Sequence, residues 1–249
     1  MNLANNSGKN LEICLNSLPS DLLQQNVQTA FASGATRVEL CSNLRCGGLT
    51  PATHAITAVS QLLPCTGECI VMLRNEAHFF IDATILKQLQ RALELIAAAG
   101  ATGVALGFID HRKEIAKAYC QSLIASAKSL GLSVTFHRAF DAAQHWQHAA
   151  DTLLELGVDR VLSAGSPWLS QQSAIQNITR LENLLYALKG QIELVIGGGV
   201  DSKSAATLWT LSELGPLSLH AHSDAHNTNG EVCSQRVKAL ITAKQREAQ

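Results

Sequence analysis

Two short apolar segments of the chain carry the same pair of reactive side chains. Glu12 and Cys14 lie two positions apart in the first segment, and Glu39 and Cys41 repeat that spacing in the second. Alternate residues of a β-strand point to the same side, so each acid should share a strand face with its thiol. A third thiol, Cys46, follows shortly after the second segment. The spacing predicts that two neighbouring strands present matching acid and thiol pairs to a metal ion or a substrate.

A second group of ionisable side chains follows an apolar segment near the middle of the chain. His137, Arg138 and Asp141 offer a base near neutral pH, an anion clamp and an acid within five positions. Further candidate residues lie at or just beyond the ends of other apolar segments: Arg74, Asp110, Ser163, Gly165 and His220. The run of three glycines at 197–199 is typical of loops that hold a phosphate, although it also suits a tight turn.

Structural roles are the alternative for these residues. A free cysteine in an apolar strand is most often part of the core. A buried carboxylate needs a cation or hydrogen-bond donors, and Arg74 and Arg138 are candidate partners for Glu12 and Glu39. Two alternatives therefore stay open: a glutamate–arginine network that stabilises the fold, or a functional site.

Composition excludes several classes of protein. The 249 residues are 47% hydrophobic, and the net charge is −1 with a pI near 6.7, so neither nucleic acid nor an anionic membrane is an expected partner. The first residues lack the apolar segment of a secretion signal, and no apolar run is long enough to span a membrane. Seven cysteines without a secretion signal favour reduced thiols in the cytoplasm.

Repeated units position these residues. Glycines recur at fairly regular intervals, each close to an apolar run, and a helical pattern precedes most of them. The predicted strands are 11–15, 38–41, 69–74, 103–107, 133–138, 160–163, 192–196 and 217–220. Eight such units predict a single-domain α/β protein with a closed (β/α)₈ TIM barrel, which we favour over an open doubly wound sheet. We expect a polar tail at 1–10, the barrel at 11–223, and a loop and helix packed on it at 224–249.

Several motifs together resemble the CutC copper homeostasis protein family. They are L-E-I-C, R-V-E-L-C followed by G-G-L-T-P, V-T-F-H-R-A-F-D, R-V-L-S-x-G and G-G-G-V, and they extend from about Leu11 to Ser223. The resemblance implies a (β/α)₈ barrel, a cytoplasmic protein, a homodimer and a role in copper handling. It further implies that Cys14 and Cys41 are ligands of copper as Cu(I).

Four features depart from that family pattern. Asn75 to Phe79 replace a segment that usually supplies a second arginine and an aspartate after Arg74, Ile196 replaces a proline, and Cys46 replaces a glutamate. The region after Ser223 is also shorter than usual. Because Cys46 adds a thiol next to the implied metal ligands, this departure favours copper.

Two functional hypotheses follow. In the first, Cys14, Cys41 and Cys46 bind Cu(I), because soft thiolates select that ion. In the second, the chain is an enzyme acting on a small anionic or polar metabolite. Its candidate catalytic residues are Glu12, Glu39, Asp110, His137, Arg138 and Asp141, and its candidate substrate-binding residues are Arg74, Ser163, Gly165, Gly197, Gly198, Gly199 and His220.

Overall fold

The computed structural model describes residues 10–243. Eight parallel strands form one closed barrel in sequence order, and a helix follows each strand. The strands are β1 Asn10–Asn16, β2 Arg37–Cys41, β3 Glu68–Met72, β4 Gly103–Leu106, β5 Ser133–Phe136, β6 Arg160–Ser163, β7 Glu193–Ile196 and β8 Leu217–Ala221. The helices are α1 Ser20–Ala32, α2 Thr53–Ser60, α3 Ala83–Ala98, α4 Lys117–Ser129, α5 Trp146–Leu156, α6 Ile178–Ala187, α7 Ala205–Thr210 and α8 Ser234–Thr242. The predicted (β/α)₈ barrel is thereby confirmed.

The helices form because apolar residues recur at helical spacing. In α3, Leu89, Leu93 and Ile96 are buried against the barrel. The carboxylate of Asp82 caps this helix by accepting hydrogen bonds from the backbone N–H groups of Thr84 and Ile85, both at 2.8 Å. The main hydrophobic core therefore lies between the outer face of the barrel and the ring of helices.

The final helix completes that ring. Val237, Leu240 and Ile241 of α8 are buried, and Leu240 accepts a hydrogen bond at 2.8 Å from the indole N–H of Trp209 in α7. Helix α8 is the eighth helix described in the fold, and the last part of the predicted C-terminal segment, 244–249, lies outside the described residues. Strand β1 already begins at Asn10, whereas the remaining part of the predicted tail, 1–9, lies outside the described residues. No helix among residues 10–243 is long and apolar enough to cross a membrane.

The strand register sets which side chains meet inside the barrel. Glu12 lies opposite Arg37 on β2 and opposite His220 on β8, while Cys14 lies opposite Glu39. The closure of the barrel therefore places β1 beside β8, and Glu12 contacts His220, which lies 208 positions further along the chain. Because all eight strands are parallel, the residues at their C-terminal ends lie at one end of the barrel, as in other barrels of this type.

Candidate functional site

A cavity of about 210 Å³ opens at the C-terminal ends of the strands, and we call it the thiol cavity. Its polar lining consists of Cys14, Glu39, Cys41, Arg74, His137, Arg138, His220 and His222, and its apolar lining includes Leu44, Met72, Phe79, Leu162 and Trp168. The cavity thus combines titratable groups with the apolar surface expected of a ligand site.

Two thiols lie next to each other in the floor of the thiol cavity. Both Cys14 and Cys41 are buried, and Cys41 donates a hydrogen bond to Cys14. That hydrogen bond from Cys41 and the neighbouring His220 hold the pKa of Cys14 well below its usual range, although burial alone would raise it. The pKa of Cys41 is raised well above its usual range by its hydrogen bond to Cys14, by burial and by Glu39. These opposite pKa shifts favour a pair with Cys14 as the thiolate and Cys41 as the protonated thiol.

Glu39 lies beside the two thiols. Its carboxylate accepts a hydrogen bond from Cys41 Sγ at 3.6 Å. Burial, together with the charge of Cys14, raises the pKa of Glu39 well above its usual range. Cys14, Glu39 and His220 each place a ligand atom within 4.8 Å of the other two, which is close enough for one metal ion.

The buried carboxylate of Glu12 fixes the orientation of the His220 ring. Its Nδ1 lies 2.7 Å from Glu12 Oε1, while its Nε2 lies 4.0 Å from Glu39 Oε2. Hydrogen bonds to Cys14 and Glu12 raise the pKa of His220 well above its usual range against the effect of burial. One imidazole nitrogen is thereby tied to the scaffold, and the other faces the thiols.

Glu12 is neutralised by an arginine that the sequence did not suggest. Arg37 Nε donates to Glu12 Oε2 at 2.6 Å, and Arg37 also contacts Glu193 at 3.1 Å. Burial by itself raises the pKa of Glu12, but Arg37 and His220 lower it to about 2. Glu12 therefore pairs with Arg37, which the parallel register places directly opposite it, and not with the candidate partners Arg74 and Arg138.

His137 is buried and neutral. Burial, with a contribution from Arg74, lowers its pKa to about 3, so the ring stays neutral near pH 7 and does not exchange a proton there, contrary to the sequence-based hypothesis. Its Nδ1 accepts a hydrogen bond from the backbone N–H of Ala139 at 3.2 Å, which places the ring proton on Nε2. That Nε2 has no hydrogen-bond partner among residues 10–243, and the side chain lines the thiol cavity.

Arg74 stabilises two loops rather than offering free donors to a substrate. Its guanidinium donates to five backbone carbonyl oxygens, at distances from 2.6 to 3.2 Å, in Cys46, Gly47, Gly48, Glu76 and Ala77. All of its N–H directions are therefore occupied. The positive charge still lies at the cavity wall, over the ring of Phe79 at 4.7 Å.

Asp141 is likewise engaged by its surroundings. Its carboxylate accepts hydrogen bonds from Arg138 Nε at 2.7 Å, from Ser163 Oγ at 2.6 Å and from the N–H of Ala164 at 3.0 Å. Burial raises the pKa of Asp141 despite these partners. Ser163 also accepts from the N–H of Gly165 at 2.9 Å. These residues fix the position of Arg138, which reaches the cavity.

The glycine run lines a second cavity of about 190 Å³, which we call the glycine-loop cavity. It adjoins the thiol cavity, because the two share Arg138, Leu162, His220 and His222 in their lining. Gly198 and Gly199 have φ angles of 97° and 69°, and a Cβ on Gly198 would lie 2.7 Å from Ala164 Cβ. Glycine is therefore required here by conformation and by packing.

Asp110 and Cys46 line neither cavity, and the same is true of Glu12, Asp141, Ser163 and Gly165. Asp110 is partly exposed, and its carboxylate accepts hydrogen bonds from the backbone N–H groups of Arg112 and Glu114 within its own loop. Cys46 is partly buried in a short 3₁₀ helix, Leu44–Cys46, and does not line the thiol cavity.

Several cavity residues were not singled out from the sequence. Met72 lies at the end of β3 beside Cys41. A Cβ added to Gly48 would lie 3.3 Å from Met72 Cε and 2.9 Å from Cys41 Sγ. Phe79 and Trp168 contribute an apolar wall with ring centroids 5.0 Å apart. The strand-end rule could have found Met72, whereas Trp168 belongs to a loop that only the tertiary fold brings to the cavity.

Comparison with known proteins indicates the family of this chain. The model of the CutC family matches residues 9–224. A Histophilus somni protein named as a family protein CutC is 35% identical over 85% of this chain and 82% of its own length. A Caenorhabditis elegans protein named copper homeostasis protein cutC homolog is 30% identical over 80% of this chain and 76% of its own.

A solved structure shows the same fold. The Streptococcus agalactiae protein described as CutC superposes with a TM-score of 0.72 at 24% identity, over 86% of this chain and 99% of its own. On the matched family model and the curated relatives, this chain belongs to the CutC family.

Proposed function

We propose that this protein binds Cu(I) as part of copper homeostasis, with Cys14 and Cys41 as thiolate ligands. The observation that carries the proposal is the pair of buried, adjacent thiols of Cys14 and Cys41 in the lining of an open cavity. Soft sulfur ligands select Cu(I) over the hard cations Mg²⁺ and Ca²⁺, which prefer oxygen. The name of the Caenorhabditis elegans relative supports the same role.

The neighbours of the thiol pair suit this ion. His220 Nε2 becomes a third ligand when the ion displaces the proton that the raised pKa of His220 keeps on the ring, because its Nδ1 is tied to Glu12. Second-shell carboxylates that orient a ligating imidazole are common in metal sites. Met72 adds a thioether side chain to the same apolar wall, which supplies another soft group close to Cys41.

The protonation states of the thiol pair make binding dependent on pH. Cys14 is ready to act as a thiolate, whereas Cys41 keeps its proton until an ion displaces it. Binding to both sulfurs should therefore release protons, so the affinity for Cu(I) should rise with pH. Glu39, with its raised pKa, adds little further negative charge around the ion.

Competition with a chromophoric Cu(I) chelator tests the proposal. The Cys14→Ser, Cys41→Ser double variant should lose binding, and X-ray absorption of the loaded wild-type protein should show at least two sulfur neighbours around copper. Cys65→Ser, which changes an exposed thiol, is the matched control. Cys46→Ser should also retain wild-type affinity, because Cys46 does not line the cavity. Unchanged affinity in the double variant would contradict the proposal.

We infer in addition that the protein acts in the cytoplasm as a homodimer. All seven cysteines are free, which suits a reducing compartment. The dimer follows from the family resemblance of the sequence. Cell fractionation would test the location, and light scattering of the purified protein should give twice the chain mass of 26.6 kDa if the dimer forms.

A further inference from the structure

Three consecutive backbone N–H groups in the glycine loop have no acceptor. The N–H of Gly197 donates to the carbonyl of Ser163 at 3.0 Å, but those of Gly198, Gly199 and Val200 donate to no group within residues 10–243. All three residues line the glycine-loop cavity. Gly198 and Gly199 have positive φ, and successive backbone N–H groups in such a turn form concave sites that bind anions.

A guanidinium group lies against the same loop. Arg138 Nη1 is 3.7 Å from the position that a Cβ of Gly198 would occupy. Asp141 holds Nε of this side chain, and the guanidinium lies over the Trp168 ring at 5.2 Å. Because Nε is the nitrogen that Asp141 engages, the two terminal nitrogens remain available for a charged ligand.

The adjoining thiol cavity offers a place for the rest of such a ligand. Trp168 and Phe79 form an apolar wall there, and the two rings meet edge to face. His137 Nε2 is a buried donor without a partner in the described part of the chain, and Phe79 lies 5.2 Å from its ring. A buried unsatisfied donor is costly, so an acceptor atom of a ligand at this position would be stabilising.

We propose that the Gly198–Val200 loop and Arg138 bind the phosphate group of a small phosphorylated organic molecule. Its organic part lies against Trp168 and Phe79 and accepts a hydrogen bond from His137 Nε2. A phosphate is favoured over a carboxylate because three amides and a guanidinium surround the site, and a tetrahedral group with three terminal oxygens can satisfy more of these donors. The inference does not depend on copper, since the phosphate site is formed by residues that follow β7 and β5, whereas the thiols lie on β1 and β2.

Amide NMR of the full chain tests the proposal directly. The probes are inorganic phosphate and phenyl phosphate, which adds an aromatic ring for the apolar wall. Both should shift the amide signals of Gly198, Gly199 and Val200 in a saturable way. Phenyl phosphate should bind roughly tenfold more tightly than phosphate, because it buries apolar surface against Trp168. Benzoate is the carboxylate control and should bind more weakly than phenyl phosphate at these amides.

Variants identify the charge that holds the phosphate. Arg138→Gln should weaken phenyl phosphate binding by roughly tenfold or more, the usual effect of losing a charge-assisted hydrogen bond. Arg112→Gln removes the same charge from an exposed loop on the same side of the barrel and should leave binding unchanged. The Cys14→Ser, Cys41→Ser variant should retain phosphate binding, which separates this inference from the copper proposal.

Three results would overturn the inference. The first is an absence of shifts at the amides of residues 198–200 in the wild-type protein with either phosphate probe. The second is equal binding of benzoate and phenyl phosphate at these amides. The third is an Arg138→Gln variant whose spectrum is folded and whose affinity is that of the wild type.

Discussion

His220 Nδ1 lies 2.7 Å from Glu12 Oε1, although the two residues are 208 positions apart. The other oxygen of Glu12 accepts from Arg37 at 2.6 Å, so both carboxylate oxygens are engaged. The imidazole consequently has one fixed orientation, with Nε2 directed toward Glu39 and Cys14. This arrangement connects a buried ion pair of the scaffold to the proposed copper site.

The first prediction concerns the role of Glu12 in orienting His220. Glu12→Gln should weaken Cu(I) affinity about tenfold, because second-shell partners of a ligating histidine typically contribute 10 to 100-fold. Chelator competition measures the change. Glu155→Gln removes an exposed carboxylate from the outer surface and serves as the control. If Glu12→Gln folds and binds Cu(I) as the wild type does, His220 is not a ligand held by Glu12.

The second prediction concerns the stability of the buried ion pair. Arg37→Met leaves Glu12 buried without its main counter-ion and should lower the free energy of unfolding by about 3 to 5 kcal/mol. Lys117→Met breaks an ion pair with Glu155 that is more than half exposed, and should cost less than about 1 kcal/mol. Urea denaturation measures both, and equal losses would contradict the distinction between buried and exposed pairs.

The third prediction is a pH dependence of stability that arises from His137. Its pKa is about 3 in the folded protein against 6.5 ordinarily, so below pH 6.5 the unfolded chain takes up a proton that the folded ring cannot. This histidine therefore destabilises the fold as pH falls from 6.5 toward 3, by at most about 1.4 kcal/mol per pH unit.

The variant His137→Asn isolates this contribution. His220 and Glu39 have the opposite effect on stability as pH falls. Their raised pKa values let the folded protein bind protons that the unfolded chain does not bind. Only the difference between wild type and variant is therefore informative. Urea denaturation at pH 7.5, 6.5, 5.5 and 4.5 should show that the free energy of unfolding of the variant rises relative to that of the wild type as pH falls. A difference that stays constant with pH would refute the assignment.

The fourth prediction separates backbone strain from contact with a thiol. Gly48 has a φ of 88°, and a Cβ there would lie 2.9 Å from Cys41 Sγ. Gly131 has a similar φ of 76°, but a Cβ would meet nothing within 4 Å. Gly131→Ala should therefore lose only about 1 to 2 kcal/mol of stability and keep wild-type Cu(I) affinity.

Gly48→Ala should lose more stability than Gly131→Ala and should also weaken Cu(I) binding, because Cys41 must move. Thermal denaturation and chelator competition on both variants measure the two effects. Equal stability losses together with unchanged copper affinity would show that the sulfur of Cys41 has room to adjust.

The sequence alone determined the barrel and the main members of the site. Strand and helix periodicities are local, so eight repeated units predicted the eight strands and their order. The alternation of strand side chains placed Cys14 with Glu12 and Cys41 with Glu39, and the rule for strand ends identified His137, Arg138 and the glycine run. Each of these inferences depends on neighbours within a few residues.

Only the tertiary structure decided what these side chains do. Burial and the charges of distant residues set a pKa, so the sequence did not reveal that His137 is neutral or that Arg37 and His220 bring the pKa of Glu12 to about 2. The closure of the barrel paired β1 with β8 and brought His220 to Cys14. Loop conformation directed every donor of Arg74 to carbonyl oxygens and left Asp110 outside the cavity, because those contacts depend on loop paths that no local periodicity encodes.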